Sequence, residues 1–394
     1  MRLYRNLCEA VVATLHEIFT EKRYADKAIE KKLKQNSKWG ARDRRFIAET
    51  TYDIVRWYRL FKEVSEANES DYWKLLAVWC VWNGVRLPDW PEMKLNDNLL
   101  HDRFAKIQNN RKIVQSIPDW LDELGERELS DKWPKELRAL NEEAHVFLRA
   151  NSLKVSKQEL QRQLADEEVF TKTVSGIPEA LLLEERQNIF NQLQFKEGLF
   201  EVQDAGSQLI APFLEVQPGQ RVIDACAGGG GKTLHLASLM QNKGRIIALD
   251  TEAWKLEELK KRARRAGANN IEIRIIDSSK TIKRLENSAD RLLLDVPCSG
   301  LGVLKRNPDA KWKLSLDFMA QVKITQEKIL DEYSAMLKPN GLMVYSTCSI
   351  LPSENNLQVK KFLKAHSGFE LVKEKSIMPS EGFDGFYMAL IRKR

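Results

Sequence analysis

Residues 221–232 read Arg-Val-Ile-Asp-Ala-Cys-Ala-Gly-Gly-Gly-Gly-Lys. The apolar pair Val222 and Ile223 ends in Asp224, glycines follow from Gly228 to Gly231, and a helix-like stretch runs from Thr233 to Met240. A strand, a glycine turn and a helix in this order open the binding site of an open parallel sheet. Glycine takes positive φ without strain and lets the backbone pass close to a ligand. The same pattern also serves as a plain tight turn in any α/β domain. A phosphate-gripping loop needs Gly, four residues, then Gly-Lys-Ser/Thr. Gly231-Lys232-Thr233 meets the end of that pattern, but Cys226 stands where the first glycine belongs and the acidic Asp224 would repel a phosphate.

Outward from this turn the chain alternates. Strands are expected at 221–225, 245–249, 271–276, 291–295 and 342–346, with helices between them at about 232–242, 253–266, 319–337 and 354–365. A short helix over Gly206 to Leu214 precedes them, and 369–374 and 386–392 read as a closing pair of strands. Such alternation predicts a mostly parallel, doubly wound sheet, whose functional groups gather at the carboxyl ends of its strands.

Four acids stand at or just after the first four strand ends: Asp224, Asp250, Asp277 and Asp295. Asp250 lies 21 residues after Gly229, the spacing of an acid that binds ribose hydroxyls. Asp277 is placed to meet a base edge. Each acid alone reads as a strand-end cap; four in succession around a glycine turn point to a nucleoside-bearing cofactor. Cys298 follows the fourth strand and Cys348 the fifth. Adjacent strands lie about 4.8 Å apart, so if these two are neighbours both cysteines enter one cleft. A lone buried cysteine is usually a small hydrophobe. Two at matched strand ends in polar loops read as reacting thiols.

The 394 residues exceed what one compact core organises. A net charge of +7 suits a polyanionic partner. No apolar run approaches the roughly 20 residues that cross a bilayer, and Met1-Arg2-Leu3-Tyr4-Arg5 leads into an amphipathic helix rather than a secretion signal. Cys8, Cys80, Cys226, Cys298 and Cys348 form an odd set without Cys-x-x-Cys spacing, against both a disulfide framework and a zinc site. The expectation is a cytoplasmic protein without a metal, monomeric by preference.

Residues 1–143 read as an all-helical domain. Leu7, Val11, Leu15 and Phe19 mark one helix face, and Ile47, Thr51, Ile54, Tyr58 and Phe61 a second. A basic stretch from Lys31 to Arg45 lies between them and reads as a solvated face or an RNA contact. Trp73, Trp79, Trp82 and Trp90 interleave with Leu75, Leu76, Val78 and Val81, which predicts core packing rather than a stacking platform. Residues 144–204 read as a small α/β module, with strands at 146–151, 168–174 and 199–203 and a helix at 158–165. Residues 205–394 form the main domain.

Three segments now carry a resemblance. Asp224-Ala225-Cys226-Ala227-Gly228-Gly229-Gly230-Gly231-Lys232-Thr233 is similar to the cofactor loop of the RsmB/Nop/Sun family of RNA cytosine-5 methyltransferases. Residues 295–309, Asp-Val-Pro-Cys-Ser-Gly-Leu-Gly-Val-Leu-Lys-Arg-Asn-Pro-Asp, resemble its Pro-Cys loop, and 345–355, Tyr-Ser-Thr-Cys-Ser-Ile-Leu-Pro-Ser-Glu-Asn, its Thr-Cys loop. Val202 to Gln208 and Asp384 to Tyr387 also fit. The family commonly has Ala-Pro where this chain has Gly228-Gly229, which loosens the turn.

The resemblance implies a Rossmann-like class I methyltransferase domain, preceded by an RRM-like module and, more weakly, a NusB-like helical domain. It implies S-adenosyl-L-methionine as cofactor, held by Cys226, Ala227, Gly228, Gly229, Gly230, Gly231, Lys232, Asp250, Asp277 and Asp295. It implies Cys348 as the nucleophile on carbon 6 of cytosine, Asp295 on the base near nitrogen 3, Cys298 in product release, and Lys232 tuning a thiol or orienting Asp295. DNA cytosine-5 enzymes, which this fold also resembles, attack with the Pro-Cys cysteine, here Cys298. The Thr347-Cys348 pair and the long continuation after Cys298 favour the RNA family. The implied partner is ribosomal RNA first and transfer RNA second. A non-catalytic RNA-binding or assembly factor is the reading from another class, and intact cysteines in both loops argue against it. Lys305, Arg306, Lys311 and Lys313 are expected either to track the RNA backbone or to form a solvated loop.

Overall fold

The computed structural model describes residues 2–394. The chain divides into two compact units, one running to Glu142 and including Leu304–Leu316, the other comprising Glu143–Val303 and Asp317–Arg394.

The first unit is helical. Helices Arg5–Phe19, Ala25–Lys34, Ala41–Arg56, Tyr58–Ser65 and Tyr72–Trp82 enclose a core in which Cys8, Val11, Leu15, Ile47, Ile54 and Leu76 are fully buried. The single helix face expected over 47–61 is split at Trp57, whose φ of −104° and ψ of 20° interrupt the helix. Trp79 is buried, and Trp73 and Trp90 meet edge to face at 6.3 Å. Trp82 departs from the expectation: it is half exposed, edge-on to Phe104.

The segment Leu304–Leu316 overturns both readings of its lysines. Lys305 and Lys311 are buried, at 4% and 2% exposure. Lys311 Nζ donates to the Arg56 carbonyl at 2.7 Å and to Asn141 Oδ1 at 3.0 Å. Lys313 Nζ reaches Asp309 Oδ2 at 2.5 Å and the Arg23 carbonyl at 2.8 Å. Trp312 donates its indole N–H to the Val55 carbonyl at 2.7 Å and packs on the helical core. Arg306 is partly buried and has interaction partners of its own. Lys305, Lys311 and Lys313 are thus struts of the helical unit and form neither a backbone track nor a solvated loop.

In the second unit, the described residues form eleven strands in two sheets. The small sheet contains β1 (Phe147–Ala150), β2 (Thr171–Thr173), β3 (Ala180–Leu183) and β4 (Phe200–Val202) in the order β2-β3-β1-β4, all antiparallel. With helix Lys157–Asp166 after β1 and a short helical turn before β4, this is a βαββαβ ferredoxin-like module. β3 was not anticipated: Ala-Leu-Leu-Leu lacks alternation, and three of its four residues are buried.

The large sheet contains β5 (Arg221–Asp224), β6 (Arg245–Asp250), β7 (Ile271–Ile275), β8 (Ala289–Asp295), β9 (Leu337–Thr347), β10 (Phe369–Ile377) and β11 (Phe386–Lys393). Their order is β10-β11-β9-β8-β5-β6-β7, parallel from β9 to β7 and antiparallel across β11. Successive residues alternate between two apolar layers. Val222, Ile246 and Val344 fill one, and Ile223, Ile247 and Tyr345 the other. The chain leaves β5 for β6 on one side and returns to β8 on the other. That switch opens a crevice at the carboxyl ends of β5 and β8. The short helix expected over 206–214 is two, Ala205–Gln208 and Ile210–Phe213. No helix among the described residues is long and apolar enough to cross a membrane.

Candidate active site

The glycine turn follows β5 and opens the helix Gly231–Leu239. Gly228 and Gly230 take φ of +53° and +86°. A Cβ on Gly230 would stand 2.5 Å from Leu259 Cγ, whereas one on Gly228 would meet nothing within 4 Å. Gly230 therefore serves close packing and Gly228 faces open space. The loosened turn is held by side chains. Arg262 donates to the Gly229 carbonyl and buried Arg149 to that of Gly231, each at 2.7 Å. Asp250 Oδ2 accepts the Gly228 N–H at 2.9 Å. Glu201 on β4 pairs with Arg262 at 2.9 Å and Arg265 at 2.5 Å. Arg149, Arg262 and Glu201 support the turn and were missed in the sequence, because Arg149 and Arg262 reach backbone carbonyls far away along the chain and Glu201 reaches arginines more than 60 positions later.

Two cavities open beside the loop, both lined by Cys226. One, of about 290 Å³, is bounded by Asp224, Ala227, Gly228, Gly229, Gly231, Lys232 and Asp295. The other, of about 660 Å³, is bounded by Asp250, Glu252, Asp277, Ile282 and Pro297. All expected cofactor residues except Gly230 line one or the other. Asp277 is exposed, and hydroxyls of Thr281 and Ser278 hold its carboxyl below the usual range. Asp224 is buried and accepts from Thr233 Oγ1 at 2.7 Å; burial pushes its carboxyl up to about 7 despite that bond. Burial and the acids Asp224, Asp295 and Asp250 push the Cys226 thiol well up, which makes it an unreactive part of the wall.

β8 and β9 are parallel neighbours in register, Asp295 opposite Ser346, and this brings the two cysteine loops together. Cys298 Sγ and Cys348 Sγ lie 3.1 Å apart, and the Cys348 N–H donates to Cys298 Sγ at 3.3 Å. Contact with Cys348 and burial push the Cys298 thiol well up, and the charge of Glu354 adds to this. Asp295 Oδ2 accepts from Lys232 Nζ at 2.6 Å and Oδ1 from Ser346 Oγ at 2.9 Å. Burial works to lower the Lys232 pKa, but attraction to Asp295 outweighs it and the net direction is up, with Cys348 contributing. The four expected catalytic residues, Lys232, Asp295, Cys298 and Cys348, are therefore brought into one constellation. It can present a thiolate, a second thiol and an ion pair to one bound base.

The family described as 16S rRNA methyltransferase RsmB/F matches residues 211–391, and the ferredoxin-like domain of RsmF/B-like methyltransferases matches 117–190. A probable ribosomal RNA small subunit methyltransferase B from Synechocystis is 39% identical over 64% of this chain and 57% of its own length. The chain thus spans little more than half of that relative. A ribosomal RNA small subunit methyltransferase B from Vibrio vulnificus is 31% identical, covering 74% of this chain and 70% of the relative. The crystal structure of PH0851 superimposes over the full length of both chains with a TM-score of 0.85 at 24% identity, a likeness of fold. With the loops and the sheet order already described, these matches make the chain a member of the S-adenosylmethionine-dependent RsmB/F family of 16S rRNA methyltransferases.

Proposed function

We propose that the chain is an S-adenosylmethionine-dependent RNA cytosine-5 methyltransferase acting on ribosomal RNA through covalent addition of Cys348 to carbon 6 of the base. The observation that carries this reading is the pair of thiols 3.1 Å apart beside the Lys232–Asp295 ion pair. The cleft suits the methyl donor. Space is open at Gly228. Each Asp250 oxygen accepts one backbone N–H, from Gly228 or Glu252, and keeps a lone pair. Cys226, Ala227, Gly228, Gly229, Gly231 and Lys232 would line the methionine end, with Asp250 at the ribose and Asp277 at the adenine. When bound, the cofactor supplies an electrophilic methyl group on a sulfonium.

Carbon 5 of cytosine is a poor nucleophile. The Cys348 thiolate adds to carbon 6, an S–C bond forms, and the ring becomes enamine-like at carbon 5. Asp295 meets the base near nitrogen 3, and Lys232 behind it offsets the charge that develops there. Once carbon 5 carries the methyl group, a base takes its proton, the electrons of that C–H bond re-form the C5–C6 double bond, and the C6–S bond breaks so that Cys348 departs as thiolate. Cys298, beside that sulfur, assists the release, either by taking the carbon-5 proton as a thiolate or through another base. The base must be reached outside a stack, so an unpaired or flipped cytosine is expected. Free thiols at this site suit a reducing compartment such as the cytoplasm.

The test is methyl transfer from labelled S-adenosylmethionine to total RNA, with 5-methylcytosine mapped and protein–RNA adducts resolved on a denaturing gel. Cys348→Ala should be inactive and Cys298→Ala should accumulate adduct. An adduct from Cys348→Ala and none from Cys298→Ala would reverse the roles. Methylation of transfer RNA alone would replace the substrate. Cofactor binding without any methylation would favour the non-catalytic RNA-binding role.

A further inference from the structure

Glu354 ends the short helical turn Pro352–Glu354 within the Thr-Cys loop and is fully buried, with no cation paired to it among the described residues. A buried carboxylate without a counter-charge persists only when several donors solvate it. Here four do. Oε1 accepts from Ser299 Oγ and from Ser349 Oγ, both at 2.6 Å. Oε2 accepts from the Ser299 N–H at 2.8 Å and from Gln326 Nε2 at 3.1 Å. Ser299 directly follows Cys298, and Ser349 directly follows Cys348. Gln326, on helix Leu316–Tyr333, also donates to the carbonyl of Pro297, the residue before Cys298. One carboxylate thus joins both cysteine loops at the position next to each thiol.

We propose that Glu354 is the positioning residue of the cysteine pair, tying the loop after β8 to the loop after β9 so that the two thiols stay in contact. Neighbouring backbones confirm the arrangement from both sides. The Tyr345 hydroxyl donates to the Glu354 carbonyl at 2.6 Å. Asn355 accepts from Thr347 Oγ1 at 2.5 Å and donates to the Ser349 carbonyl at 2.9 Å. The strand before Cys348 and the turn after it are therefore bound to one fixed point. After contact with Cys348 and burial, the charge of Glu354 is a further influence that raises the Cys298 pKa. A role in the methylation cycle rests on the cytosine-5 reading; the geometric role does not.

The experiment measures how fast Cys298 and Cys348 join when diamide removes their two hydrogens: two S–H bonds break, one S–S bond forms, and diamide is reduced to its hydrazine. The product is mapped by mass spectrometry of non-reduced peptides, with no RNA present. Glu354→Ala removes the joint, and Glu354→Gln keeps an acceptor for the Ser299 N–H and Gln326 while the serine hydroxyls turn. At matched folded fraction, Glu354→Ala should slow the 298–348 link about tenfold and Glu354→Gln by a smaller factor, since small misplacements of reacting groups carry large rate penalties. S-adenosylmethionine affinity should stay within about twofold in both. Linking at the wild-type rate in the folded variants would overturn the proposal, as would a loss of linking no larger than the loss of cofactor binding. If Glu354→Ala does not fold, Glu354→Gln decides alone. A wild type that makes no 5-methylcytosine yet shows these rates would defeat the cytosine-5 reading and leave the positioning role standing.

Discussion

Lys232 and Lys311 are both withdrawn from water, and their pKa values move in opposite directions. Lys232, at the crevice between β5 and β8, faces the Asp295 carboxylate at 2.6 Å. That attraction overcomes burial and raises its pKa. Lys311, in the helical unit, has among the described residues only neutral acceptors, the Arg56 carbonyl and Asn141 Oδ1. Burial drives its pKa well down, and the Arg56 guanidinium adds to the effect. Lys313 stands between the two: it has a carboxylate partner in Asp309, yet that carboxylate also accepts the Ala25 N–H and belongs to the helical scaffold. A buried lysine becomes part of a reaction site when its partner carboxylate also lines a cavity. Without that access the same residue is a strut.

The largest effect should come from breaking the ion pair. Lys232→Met should lower single-turnover methyl transfer by about 10²–10³-fold, the usual consequence of removing one electrostatic contact to a developing charge. Lys311→Met should stay within about threefold at matched folded fraction, a bound on the scale of ordinary surface-level perturbations. Equal losses in the two variants would break the comparison.

Stability should show the reverse order. Lys311→Ala leaves two acceptors unpaired and a void, for a loss of about 2–4 kcal/mol by denaturant titration of the helical unit. Lys313→Ala should cost less, about 1–2 kcal/mol, because its pair is only partly withdrawn from water. If Lys313→Ala abolished methyl transfer without loss of stability, the requirement for a cavity would be wrong.

The smallest effects are slopes of stability against pH. Lys311 has a folded pKa below its unfolded one, so the unfolded chain binds more protons and stability rises with pH up to the ordinary lysine value. Lys232 has a raised folded pKa. Its contribution is present below the ordinary lysine value and fades as pH climbs through the folded one. Asp224 is also raised, to about 7 from an ordinary 3.8, so between these values stability falls as pH rises. Lys311→Met should flatten the first slope and Asp224→Asn the third. Unchanged slopes would mean that these groups do not titrate as buried.

Much of the site was legible because its chemistry sits at strand ends. Apolar runs ending in acids located β5, β6 and β8, and the spacing of Cys298 and Cys348 needed only the adjacency of β8 and β9 to become a constellation. What stayed hidden depended on contacts between distant segments. Glu354 reads as an ordinary loop acid until Ser299, Ser349 and Gln326 surround it. Lys305 and Lys311 read as surface charges because burial of a lysine is rare and is decided here by helices more than 150 positions earlier. β3 escaped because a short, doubly buried strand carries no alternation.

The helical unit includes Leu304–Leu316, while the whole of Glu143–Val303 comes between its two pieces. During synthesis the amino-terminal helices emerge first, but Trp312 and Lys311 arrive only after most of the other unit has been made. At about 5–20 residues per second this is a wait on the order of ten seconds. The helical unit is therefore completed late, after residue 316, yet still ahead of the other unit, whose strands β9, β10 and β11 come later in the chain. The buried core residues, from Leu7 to Leu100, are all made in the first stretch, and Trp312 joins them only when the later segment arrives.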